Sequence, residues 1–146
     1  MGILEGAIIG AVAGGAAVLF TYSAKTQKYK KLLKTISGPI DYSGLYHYAS
    51  SKRYKNQTKF FDSYGILYLS GKIVYYKANA NEAPLAFDLS VCSVQQEADW
   101  RRLKWFSITT PAGEKFYFDS HKLGFLQNDS SETLKGLAAI KAKMVA

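Results

Sequence analysis

The sequence predicts a mainly β protein with added helices: an N-terminal transmembrane helix, then an antiparallel β barrel or sandwich of six to seven strands capped by a C-terminal helix. Three observations support this prediction. An uncharged apolar stretch lies near the N-terminus. Short runs rich in β-branched and aromatic residues then alternate with turn residues. Apolar residues near the C-terminus recur at helical spacing.

The uncharged stretch runs from Gly6 to Ala24 and contains nineteen residues. A helix needs about 20 residues to cross the bilayer core, so residues 1–24 are expected to form a transmembrane anchor helix. A secretory signal would carry bases before its apolar stretch, whereas the early charge here is the acid Glu5. A buried or surface helix stays open as an alternative, because Gly and Ala contribute little to membrane insertion.

Small residues recur every three or four positions along this stretch and would form one smooth stripe on a helix. They are Gly6, Gly10, Gly14 and Ala17. In lipid, such a stripe lets two helix backbones approach closely, so we expect it to pack on another transmembrane helix or a membrane complex. The alternative is that Gly and Ala are simply common in membrane spans.

The formal net charge of +8 is concentrated beside the apolar stretch. Residues 25–59 contain nine Lys or Arg and a single acid, while the charges elsewhere balance. Bases beside an apolar segment suit an anionic membrane surface, whereas a nucleic-acid-binding protein would more often spread them over a folded face. The sequence therefore predicts a membrane partner and no nucleic acid.

Residues 25–42 are predicted to form a basic juxtamembrane linker. Lysines that directly follow a span are normally retained on the cytoplasmic side, which predicts a single-pass protein with its C-terminal domain on that side. A helix leaving the membrane would place Leu32, Leu33 and Ile36 near the lipid headgroups. Its lysines are expected to contact lipid phosphates; they are Lys28, Lys30, Lys31 and Lys34.

Residues 43–146 are predicted to form the β domain. Its expected strands are residues 43–50, 59–70, 72–78, 84–94, 103–110 and 114–120. Turn signals at residues 70–71 and 111–113 make the sheet mostly antiparallel. Asp129 and Glu132 resemble a helix capping box. The apolar residues after it have helical spacing; they are Leu134, Leu137, Ile140 and Met144.

Two stretches of this domain resemble a known family. Residues 65–76, GILYLSGKIVYY, look like the central hairpin of GRAM and bacterial pleckstrin-homology-like (PH-like) domains. Residues 106–118, FSITTPAGEKFYF, are similar to their last hairpin before the C-terminal helix. The resemblance covers roughly residues 43–146, in order, and implies a PH-like fold. A lipocalin-like or other small barrel would share much of the pattern.

The loop expected after the first strand contains four bases within residues 51–59; they are Lys52, Arg53, Lys55 and Lys59. In lipid-binding PH domains the corresponding loop supplies bases to phosphorylated headgroups. The resemblance therefore implies that these four residues bind anionic lipid headgroups. The alternative is a solvated loop that gains about 1 kcal/mol per base beside an anionic leaflet.

The sequence predicts no catalytic residue, no metal site and no cofactor. His47 and His121 lie in different predicted elements without metal ligands at suitable spacing, and Cys92 is the single cysteine. No nucleophile elbow or phosphate-binding loop occurs. Trp105, in a second basic-aromatic cluster with Trp100, is interpreted as a core residue because it lies on an alternating strand.

These patterns predict a non-catalytic, membrane-anchored adaptor whose PH-like domain binds anionic lipid headgroups, a partner protein, or both. The alternative is a structural accessory subunit of a larger membrane protein complex, packed through its Gly-rich transmembrane helix. The weak insertion strength of that helix motivates the alternative, because a neighbouring protein would complete its burial.

Overall fold

The computed structural model describes residues 26–100, 103–120, 122–123, 128–129 and 131–145. The predicted anchor helix lies outside the described residues, and so does its stripe of Gly6, Gly10, Gly14 and Ala17. Among the helices of the described ranges, none is long and apolar enough to cross a membrane.

The described residues begin with a helix, α1, over residues 26–33. The strands of one large sheet follow: β1 Tyr42–Ser50, β2 Ser63–Ser70, β3 Ile73–Lys77, β4 Leu85–Asp88, β5 Ser93–Gln96, β6 Phe106–Thr109 and β7 Lys115–Asp119. A small hairpin of β8 Lys122–Leu123 and β9 Asn128–Asp129 then leads to the C-terminal helix α2, Ser131–Met144.

The strand order in the seven-stranded sheet is β4-β3-β2-β1-β7-β6-β5, and every neighbouring pair is antiparallel. β1 lies at the centre because it pairs with β2 along most of its length and with β7 at its C-terminal end. The predicted mainly β fold with a C-terminal helix is confirmed. Its element order is the one that the resemblance to PH-like domains implied.

Two of the predicted turns place a glycine in the left-handed region, where a side chain would be strained. Gly71 has φ +61° between β2 and β3, and Gly113 has φ +86° between β6 and β7. The Gly113 amide donates to the Thr110 carbonyl at 2.8 Å, and the Thr110 amide donates to the Glu114 carbonyl at 3.0 Å. Both predicted turns are therefore confirmed.

The single strand predicted over residues 84–94 is wrong, because the segment forms β4 and β5 at opposite edges of the sheet. Asp88 makes the break. Its Oδ1 accepts hydrogen bonds from the Ser90 amide at 2.9 Å and the Ser90 hydroxyl at 2.6 Å. Asp side chains commonly form such local bonds in turns. The turn still looks apolar in sequence because Leu89 and Cys92 pack into the core.

The main core lies on one face of the sheet, here called the inner face, and α2 packs against it. Side chains that alternate along the central strands supply most of this core. Its most buried members include Tyr46, Leu67, Leu69, Val74, Phe106, Ile108, Phe118 and Ile140.

Two tyrosines of β1 fix the start of α2. The Tyr46 hydroxyl donates to the Glu132 carbonyl at 2.7 Å, and the Tyr42 hydroxyl donates to the Glu132 carboxylate. Burial raises the pKa of both tyrosines, so both remain protonated donors. Gly136 lies one turn further along α2, where an added Cβ would meet the Tyr46 hydroxyl oxygen at 2.0 Å. The close approach of α2 to β1 therefore requires a glycine.

The Gly136→Ala variant tests this contact. Alanine normally favours a helix over glycine by about 1 kcal/mol, but here we expect the free energy of unfolding to fall by roughly 1–3 kcal/mol from overpacking. Tyr46→Phe removes the obstructing oxygen, so the double variant should be less destabilised than the sum of the two single variants. Urea denaturation of the four proteins measures this difference. Additive effects would contradict the proposed collision.

Candidate anion-binding face

The second face of the sheet, here called the outer face, carries the residues that alternate with the core. Ala49 lies directly opposite Tyr117 in the β1–β7 pair, and His47 lies opposite Tyr64 in the β1–β2 pair. Directly opposed residues of antiparallel strands share a face. Two segments that are separated in the sequence cover this face: α1 and the β1–β2 loop, residues 51–62.

α1 covers the part of the outer face formed by β2 and β3. Leu32 is only 3% exposed and packs with Ile66 and Tyr68 of β2. The Tyr29 hydroxyl lies 2.7 Å from the Ser43 hydroxyl of β1. The expectation that Leu32 lies among lipid headgroups is therefore wrong. The outer face of β2 is itself apolar, and burying a leucine there contributes about 1.5–3 kcal/mol.

Lys28 connects α1 to the start of β2. Its Nζ donates to the Tyr64 carbonyl at 2.7 Å and lies 4.1 Å from the centroid of the Tyr64 ring. Burial lowers the pKa of the Lys28 ammonium, and the nearby Glu82 carboxylate partly opposes this. Lys28, predicted to contact lipid, is thus already engaged within the domain. The other predicted lysines of this segment are exposed; they are Lys30, Lys31 and Lys34.

The β1–β2 loop covers the part of the outer face formed by β1, β6 and β7. The Tyr54 ring stacks on the Tyr117 ring, with centroids 3.9 Å apart and planes 7° apart. Tyr54 also meets the fully buried Trp105 edge-on at 5.2 Å. Burial, with the nearby Glu97 carboxylate, raises the pKa of Tyr54 to about 12. The interpretation of Trp105 as a core residue is confirmed.

Residues 59–62, predicted to begin the second strand, instead belong to this loop. Phe60 packs edge-on against Trp100 at 5.3 Å, and Phe61 lies 4.5 Å from the His47 ring. The apolar run of residues 59–62 therefore covers the sheet rather than extending β2. Because its side chains pack on the sheet, its composition is as apolar as that of a strand. Arg101 and Arg102, which follow Trp100, lie outside the described residues.

The predicted loop bases all lie at the surface. Arg53 Nε is 3.9 Å from Asp62 Oδ1, and Asp62 Oδ2 accepts a hydrogen bond from the Ser50 amide at 2.6 Å. This bridge ties the loop to the end of β1. Lys55 Nζ lies 5.5 Å from the centroid of the Tyr54 ring.

The structure places the two predicted groups of bases on the two segments that cover the outer face. The acids of this face have local partners: Asp62 faces Arg53, and Glu97 faces Lys115 at 3.4 Å. Burial opposes ionisation of Glu97, but hydrogen bonds from neighbouring side chains outweigh it and lower its pKa. On the two segments that cover the outer face, the exposed lysines that form no ion pair with another described residue are Lys30, Lys31, Lys34, Lys52, Lys55 and Lys59.

A buried histidine–carboxylate pair lies between the two covering segments, and sequence reasoning missed it. His47 Nδ1 is 3.3 Å from Asp119 Oδ1, and both side chains are almost fully buried. The two residues face each other in the β1–β7 register, which no local sequence pattern reveals. Within the part of the chain that the structure describes, no three potential metal ligands cluster together. His121 lies outside that part.

Replacing Leu32 with alanine tests whether α1 is an integral part of the domain. We expect Leu32→Ala to lower the free energy of unfolding by about 2–5 kcal/mol, because it leaves a cavity over β2. Lys31→Ala is the matched control on the exposed side of α1 and should change stability by less than about 0.5 kcal/mol. Urea denaturation of residues 26–146 measures both. Equal stability of the two variants would show that α1 does not stabilise the sheet.

Neither a protein-family model nor a curated protein matches this sequence. Among solved structures, the chain is similar to the crystal structure of the pleckstrin homology domain of ArhGAP27, at 14% sequence identity and a TM-score of 0.47. The match covers 70% of this chain and 97% of that chain.

Proposed function

We propose that this protein is a membrane-anchored, non-catalytic binding module whose basic outer face binds anionic lipid headgroups. The observation that supports this best is the presence of six exposed lysines, without ion-pair partners among the described residues, on the two segments that cover the outer face. The buried Leu32 fixes one covering segment to the sheet, and the partly buried Tyr54, Phe60 and Phe61 fix the other. The domain therefore presents positive charge on a rigid support.

The arrangement of the lysines favours an extended anionic surface as the partner. Each ammonium group stands on a separate exposed side chain, and the lysines are divided between α1 with the turn that follows it and the β1–β2 loop. Each base near an anionic leaflet contributes about 1 kcal/mol. Six such contributions are sufficient for stable adsorption, while each single contact remains weak and unspecific.

We also propose that residues 6–24 anchor the chain in the membrane and that the β domain lies on the cytoplasmic side. The uncharged stretch of residues 6–24 ends directly before the first lysine of residues 25–34. Short flanks rich in lysine are normally retained on the cytoplasmic side of a span. A cytoplasmic leaflet is also the one that carries anionic lipids, so the anchor and the basic face would meet the same surface.

Sedimentation of residues 26–146 with vesicles tests the lipid-binding role. We expect binding to phosphatidylserine-containing vesicles and little binding to neutral ones. The variant Lys52→Gln/Lys55→Asn/Lys59→Gln should bind the anionic vesicles about 100-fold more weakly, from roughly 1 kcal/mol per lysine. Asn is chosen at position 55 because Lys55 has φ +64° and Asn tolerates that conformation.

A control variant removes the same charge from other surfaces. Lys72 lies in the β2–β3 turn, and Lys135 and Lys141 lie on α2, and all three are exposed. Replacing these three with Gln should weaken vesicle binding far less than the loop variant does. Equal weakening by both variants would show that net charge, rather than the outer face, determines binding. Equal and negligible binding to both kinds of vesicle would remove the lipid role.

The sequence also supports a second candidate function, a structural accessory subunit of a membrane complex. The stripe of Gly6, Gly10, Gly14 and Ala17 is the observation that favours it. We expect Gly10→Leu/Gly14→Leu to reduce the cross-linked assemblies recovered in mild detergent, because the larger side chains separate the helices. Ala11→Leu/Ala16→Leu adds similar bulk on other faces of an ideal helix and should leave assembly unchanged. Unchanged assembly in both variants would argue against this candidate.

A further inference from the structure

We infer that the edge strand β5 pairs with β5 of a second copy of this chain, so that the two sheets join into one continuous antiparallel sheet. This dimer goes beyond the proposed function, and it depends neither on lipid binding nor on the membrane anchor. Three features of the sheet support it: the outward backbone groups of β5, the protection of the opposite edge, and the self-complementary order of residues in β5.

β5 forms an open edge, because among the strands that the structure describes it pairs with β6 alone. Three of its four residues are exposed. The Glu97 amide donates to the Trp105 carbonyl at 2.9 Å, and hydrogen-bonded pairs alternate along an antiparallel ladder. Gln95 therefore also bonds to β6, whereas Val94 and Gln96 direct their N–H and C=O groups away from the sheet. Backbone groups that point outward in this way are a template for another strand.

The opposite edge, β4, is protected against such pairing. The Leu89 amide donates to the Lys72 carbonyl at 2.8 Å. By the same alternation, the outward backbone groups on this side belong to Pro84, Ala86 and Asp88. Proline has no N–H to donate, and the Asp88 carboxylate adds a charge that opposes strand addition. β5 has neither form of protection, since its four residues are uncharged and none of them is proline.

The order of residues in β5 matches a second, antiparallel copy of itself. A two-fold axis at Gln95 places Val94 opposite Gln96 of the second copy, and these are the residues whose backbone groups point outward. They form roughly four hydrogen bonds across the axis. Ser93 then lies opposite Glu97 of the second copy, so the carboxylate meets a hydroxyl group rather than a like charge. The same patch on both chains is thus self-complementary, as a two-fold interface requires.

The interface is small, so the dimer is weak in dilute solution and forms more readily where chains are concentrated. A strand of four residues buries well below the roughly 1,200 Å² of a standard interface. A covalent bond across the two-fold axis captures such a dimer although it dissociates readily. It also reports the register, because the distance between equivalent residues grows with their separation from the axis.

Disulfide trapping in the purified full-length chain tests the pairing. In a Cys92→Ala background, Gln95→Cys places the new cysteines opposite each other, with Cα atoms about 4.5 Å apart, which suits a disulfide. Ser93→Cys is the register control, because its two copies lie about 13 Å apart in the same dimer. Ala86→Cys is the control on the β4 edge and is equally exposed to solvent. Urea denaturation confirms that each variant is folded.

We expect Gln95→Cys to give at least about fivefold more disulfide-linked dimer than either control under mild oxidation, because only its Cα atoms approach within disulfide range. An equal or greater yield from Ser93→Cys would overturn the inference, since random collision or another register would explain it. A greater yield from Ala86→Cys would overturn it by placing the contact at β4. If none of the three purified variants forms a dimer, β5 does not pair with itself, and its edge is left to a segment of another protein.

A charge exchange at the two-fold axis provides a second measurement that needs no disulfide. Gln95→Lys and Gln95→Glu each place like charges opposite each other, so each should weaken association about fivefold in a concentration series of sedimentation velocity. An equimolar mixture should recover the association of the unmodified chain, because lysine then faces glutamate. Association that is unchanged in the single variants, or that the mixture does not restore, would contradict pairing through β5.

Discussion

The apolar character of both faces of the central sheet is the constraint on which the rest of this structure depends. Ile66, Leu67, Tyr68 and Leu69 are consecutive in β2, and all four are buried. Because neighbouring strand residues point to opposite sides, such a run requires a covering layer on each side. α2 covers the inner face, while α1 and the β1–β2 loop cover the outer one.

This constraint also explains where the positive charge lies. The segments that cover the outer face each contain apolar residues spaced among lysines, and burial of the apolar residues determines which way the lysines point. Leu32 in α1 is buried, and Tyr54 in the loop is partly buried. The basic face is therefore a consequence of packing, and its lysines avoid the cost of burying a charge because they remain in water.

Much of the fold follows from local patterns in the sequence. Alternation and turn residues located most strands of the sheet, and Gly71 and Gly113 located two hairpins. The missed break within residues 84–94 is a local turn at Asp88. The other errors have one physical origin, which is packing between distant segments. Phe60 and Phe61 lie in a run whose composition is typical of a strand. They instead pack against Trp100 and His47 and cover the sheet. The His47–Asp119 pair depends on the β1–β7 register, which residues far apart in the sequence determine.

For the candidate site, as for the fold, local sequence identified the residues, but contacts between distant segments determine where they lie. The sequence identified its bases and gave them one role, lipid binding, because charge is a property of each residue, but it assigned them to a linker and a loop that no local pattern connects. Their attachment to the outer face depends on Lys28 reaching Tyr64 and on Tyr54 stacking on Tyr117. Since aromatic stacking and the partly buried Lys28–Tyr64 hydrogen bond hold the two covering segments, removing one of the six exposed lysines changes the charge of the face while its support persists. Removing an aromatic residue would disturb the support itself, so the two kinds of substitution separate binding from folding.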